Sequence, residues 1–140
     1  MVDFSNLEKK KTSADTKARY DLYEVGMGHL MVSPATRSNK PYNAALLKLM
    51  LPQQRRIQGG KINADFVEKY RADLVPLYAK FIVKAWEGIF DSKGNEVPFS
   101  QDNVAAFLGA LPLQVFDNLV DFCENELNFM DLDPEGAAKN

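Results

Sequence analysis

The chain is poor in the residues that do most enzyme chemistry. It holds one cysteine, Cys123, and one histidine, His29. A single cysteine excludes an internal disulfide and fits a reducing compartment. One cysteine and one histidine also fall short of the ligands of an ordinary zinc site. Acidic neighbours raise rather than lower a thiol pKa, so Cys123 reads as a small core residue. No Gly-rich phosphate loop leads into a helix, because Gly26-Met27-Gly28 and Gly59-Gly60 are spaced as turn signals. No Gly-x-Ser-x-Gly elbow occurs. No apolar run approaches the roughly 20 residues that cross a bilayer. Met1-Val2-Asp3-Phe4-Ser5 lacks the apolar centre of a secretion signal. These absences predict a protein that is not an enzyme, carries no cofactor or metal and does not enter a membrane.

What the chain does have is ordinary globular composition and a lopsided charge. Residues 1–90 carry 15 Lys/Arg against 9 Asp/Glu, a net +6, and residues 91–140 carry 2 against 10, a net −8. Such polarity steers association and says nothing of the fold. It predicts solvated acidic faces, head-to-tail self-association or an acidic end that meets a basic partner. Lys40, Lys48, Arg55 and Arg56 make the segment before Gly59 basic. A pI near 5.4 and the lack of interleaved aromatics argue against a nucleic-acid module.

Periodicity predicts a mainly α fold: a small helical domain with a short N-terminal β-hairpin. Residues 1–19 read as a flexible arm, 20–130 as one helical domain and 131–140 as a flexible acidic tail. Tyr20–Val25 and His29–Val32 read as the two strands, turning at Gly26-Met27-Gly28, with His29 a strand residue. Ser38 or Asn39 caps a helix with proline in its first turn, and Pro52 breaks or restarts it before Gly59-Gly60. The longest apolar stripe runs from Phe66 to Trp86. It predicts one helix, capped by Asn63, kinked at Pro76 and stopped by Gly88. Trp86 reads as a core residue at its end. Asp91-Ser92-Lys93-Gly94 reads as a tight turn between Ile89-Phe90 and Val97-Pro98-Phe99. Ser100 caps the next helix. Pro112 opens another, with Val115, Phe116, Leu119, Val120, Cys123 and Leu127 on its apolar face and Asp117, Asp121 and Glu124 opposite.

The candidate interaction residues follow from this layout. Lys40, Arg55 and Arg56 form the basic side. Asp117, Asp121 and Glu124 form an i, i+4, i+7 acidic row, read as a solvated face in preference to a cation site. Phe90 and Phe99 flank the turn and are expected to stay partly exposed.

An ordered set of short motifs resembles the tail assembly chaperones of long-tailed, non-contractile bacteriophages. The set comprises Ala35–Tyr42 with Ala45-Leu46-Leu47, then Leu51–Ile57, then Val83–Ile89 with Trp86-Glu87-Gly88. Asp91–Gly94, Val97-Pro98-Phe99-Ser100, Asn103, Leu111-Pro112, Phe116, Phe122 and Phe129 continue it. The likeness covers roughly residues 20–130, and Pro76 departs from it. The resemblance implies a non-catalytic protein of the infected host's cytoplasm, absent from the mature virion. Its implied partners are the tape measure protein and, through a frameshift-extended form, the tail tube protein. Lys139-Asn140 is then expected at the frameshift site. The alternative is a minor tail or head–tail connector protein of the particle.

Overall fold

A computed structural model describes residues 12–51 and 64–130. The chain is mainly α, with a short three-stranded antiparallel sheet. Strands β1 (Ala18–Asp21) and β2 (His29–Val32) form the expected hairpin, but Tyr23–Val25, read as the end of the first strand, is a 3-10 turn that joins the two. β1 starts inside the segment read as an arm. Thr12, Ala14 and Ser33 add hydrogen bonds around it, so residues 12–19 lie against the domain. Residues 1–11 and 131–140, with Lys139-Asn140, lie outside the described residues.

Helix α1 (Lys40–Met50) begins where expected. Asn39 is its cap: the side-chain oxygen accepts from the Tyr42 amide at 3.3 Å. Its amide group also donates to the Pro34 carbonyl at 3.0 Å, which is why this polar residue is buried. Helix α2 (Ala64–Leu77) runs through Pro76 and widens into a π-helical turn, Tyr78–Ile82. Asn63, read as its cap, lies outside the described residues.

The long helix does not reach Trp86. Residues Val83–Glu87 are strand β3, paired antiparallel with β2. Leu30 and Val32 explain the correction. Both are fully buried, and a two-stranded hairpin leaves such a face half covered. β3 supplies Val83 opposite Val32 and Trp86 opposite Leu30. A register shift at Met31/Val32 inserts the extra residue, Lys84, that lets both reach the covered face. Steps of three and four in the sequence fitted a helix here, and tertiary pairing overrode them.

Gly88 still stops the element, at a φ of +76°. It lies against Gly28, φ +56°: a Cβ on Gly88 would sit 2.9 Å from the Gly28 Cα, and one on Gly28 would overlap the Glu87 carbonyl oxygen. Glycine is required at both places for space and for backbone conformation.

Helices α3 (Gln101–Ala110) and α4 (Leu113–Glu124) close the core. Ser100 caps α3, its hydroxyl accepting from the Asn103 amide at 3.1 Å. Tyr42, Tyr78 and Phe116 stack edge to face at 5.8 Å and tie α1, the π turn and α4 together. Cys123 is buried, as expected, and burial pushes its thiol well above the ordinary value. Leu127 is not on the apolar face of α4. It sits in a 3-10 turn, Glu126–Phe129, and is 61% exposed.

Candidate interaction surface

The expected turn after β3 forms as read. Asp91 Oδ1 accepts from the Lys93 and Asn95 amides at 2.9 Å, and Gly94 takes a φ of +81°. Val97 N donates to the Ile89 carbonyl at 2.8 Å, closing the small hairpin. Phe90 and Phe99 flank it at 49% and 43% exposure. Trp86 is half-buried rather than part of the closed core. Its Nε1 donates to the Val97 carbonyl at 3.0 Å, and its ring meets Phe99 and Phe107 edge to face at 5.7 Å. The indole thus holds the hairpin onto α3.

The charged candidates separate. Lys40 is exposed at the start of α1, and Arg55 and Arg56 lie outside the described residues. Asp117 is taken within the molecule: its two oxygens accept from Arg71 Nε and Nη2 at 2.9 and 2.6 Å. A planar guanidinium matched to both carboxylate oxygens is a directional pair. Asp121 and Glu124 remain accessible on α4. Partial burial, and then the Asp121 charge, raises the Glu124 carboxyl above its ordinary value.

Glu126 shifts the opposite way. Hydrogen bonds from Ser38, Thr12 and Thr36 hold its carboxyl below the ordinary value. Thr12 Oγ1 donates to Glu126 Oε1 at 2.7 Å and Thr36 Oγ1 at 3.0 Å, and Ser38 Oγ lies 2.6 and 2.7 Å from the two threonines. This clasp joins the N-terminal segment, the loop before α1 and the turn after α4.

Sequence reasoning missed one feature altogether. A groove of about 280 Å³ opens between α2, α3 and α4. Glu68, Arg71, Ala72 and Val75 form one wall, and Leu108, Gly109, Leu111, Leu113 and Phe116 form the others. Gly109, near the end of α3, is the one lining residue whose type could have hinted at it. Among the described residues no three His, Cys, Asp or Glu side chains come together as a metal site, and no helix is long and apolar enough to cross a membrane.

A family model described as YdaY prophage protein matches residues 37–140, most of the chain. No curated protein and no solved structure gives a match.

Proposed function

The chain belongs to the YdaY prophage protein family, and from that premise we propose that it acts in phage tail assembly as a non-catalytic chaperone. It binds the tape measure protein in the host cytoplasm and masks its apolar helical surface until the tail tube forms. A frameshift-extended form brings in tail tube subunits, and neither form remains in the finished virion.

The observation that carries this reading is the run from Trp86 to Ser100. The motifs on which the chaperone resemblance rests form one local unit there. Trp86 anchors the hairpin, Ser100 caps α3, and Phe90 and Phe99 stand half-exposed between them. Phage origin supports the same reading.

Co-expression with the tape measure protein tests it. The soluble fraction of that protein rises severalfold if the reading holds. An unchanged fraction overturns it. Recovery of this chain from purified virions replaces it with the structural-protein alternative.

A further inference from the structure

We propose that the groove between α2, α3 and α4 is a docking site for an amphipathic helix that carries Lys or Arg one turn away from an apolar anchor. The inference deepens the chaperone reading and rests on it for the helical nature of the partner.

Gly109 is the first argument. It is the penultimate residue of α3, where glycine leaves the unfolded chain more freedom than alanine would. None of the usual reasons for a glycine applies. Its φ is not positive, and no heavy atom outside its own helix backbone comes within 4 Å of where a Cβ would stand. A side chain there would project into open space on the groove wall. Because Gly109 lines the groove, a large side chain at this position tests the groove directly.

Chemistry around the groove selects the occupant. Apart from Glu68 and Arg71 the lining is apolar, and Leu113 stands 55% exposed at the edge. Among the described lining residues Arg71 is the one cation, and Asp117 already engages it through both oxygens. With Glu68 beside them, the three groups leave one net negative charge at the rim. An apolar slot with a net acid at its rim fits an apolar side chain flanked by a cation. This is the helix-in-groove mode of recognition.

The probe is a fluorescein-labelled 14-residue peptide of leucine and lysine at helical spacing, titrated by anisotropy against the full chain. The same peptide with glutamate for lysine is the control. The proposal expects the lysine peptide to bind at least tenfold tighter than the glutamate peptide, and Glu68→Gln to erase most of that preference. Gly109→Leu is expected to weaken binding at least tenfold while melting no lower than the parent. Unchanged binding to a folded Gly109→Leu protein overturns the groove as the site. Equal binding of the two peptides overturns the charge argument. A concentration-dependent dimer that Gly109→Leu abolishes assigns the groove to a second copy of this chain and also overturns the proposal. Failure is separable from failure of the chaperone reading. If Gly109→Leu solubilises the tape measure protein as well as the parent does, the groove falls and the chaperone stands. If the peptides bind as expected but co-expression has no effect, the chaperone falls and the groove stands.

Discussion

Two glycine-bearing regions of this molecule are built in opposite ways. At the seam where β2 begins and β3 ends, Gly28 and Gly88 press backbone against backbone, both at positive φ. On the groove wall, Gly109 has an ordinary helical backbone and faces empty space. One glycine pair is demanded by the fold. The other glycine costs the fold something and leaves room for a visitor. A glycine is therefore informative only once its surroundings are known.

The sharpest way to break this contrast is to put a methyl group at each place. Gly28→Ala must overlap the Glu87 carbonyl and hold alanine at positive φ. Strain and overpacking of that kind cost on the order of 1–3 kcal/mol each, so a loss of at least ~2 kcal/mol is expected in urea unfolding. A folded protein with an unchanged midpoint would mean the seam has slack. Trp86→Ala tests how far the seam depends on side chains. A fully buried tryptophan costs about 3–5 kcal/mol on truncation. Trp86 is half-buried, so about 2 kcal/mol is expected, seen as a lowered melting temperature.

Gly109→Ala probes the other side. Relief of helix entropy predicts a gain of about 0.5–1 kcal/mol, read in the same urea titration. A loss would mean that the groove is closed in solution. The smallest effect is expected at the clasp. Glu126 has a lowered folded pKa, so its contribution is complete above the ordinary value of 4.5 and fades as pH falls through the lower folded value. Glu126→Gln should flatten that part of the acid-unfolding curve. An identical curve would show that the three hydroxyls hold without the charge.

The contrast also shows what the sequence makes legible. Caps and turns were readable because they are local: Asn39, Ser100 and the Asp91 turn each act within a few residues. The apolar stripe was readable as burial but not as shape. Phe81, Ile82, Ala85 and Trp86 fit a helix, and only the distant demand of Leu30 and Val32 makes Val83–Glu87 a strand. The acidic row on α4 was legible as spacing. Its first member, Asp117, is spent on Arg71, 46 residues away, and no local pattern announces that pairing. The groove was hidden for the same reason. Its walls come from three helices, and Gly109 alone marked it.

The order in which the chain is made gives the pairing of β2 with β3 a further meaning. A polypeptide leaving the ribosome carries Leu30 and Val32 out first, with nothing to cover them. The sheet cannot close until Val83–Glu87 emerge. The loop behind it waits longer, because Ala35 N bonds the Cys123 carbonyl and Thr12 bonds Glu126, 114 residues away. Contacts so distant in sequence slow folding, and a half-made chain with an open apolar strand edge is prone to aggregate. Ribosomes stalled before Cys123 should therefore release fragments that precipitate or are degraded, while the full chain folds only as its last helix is delivered.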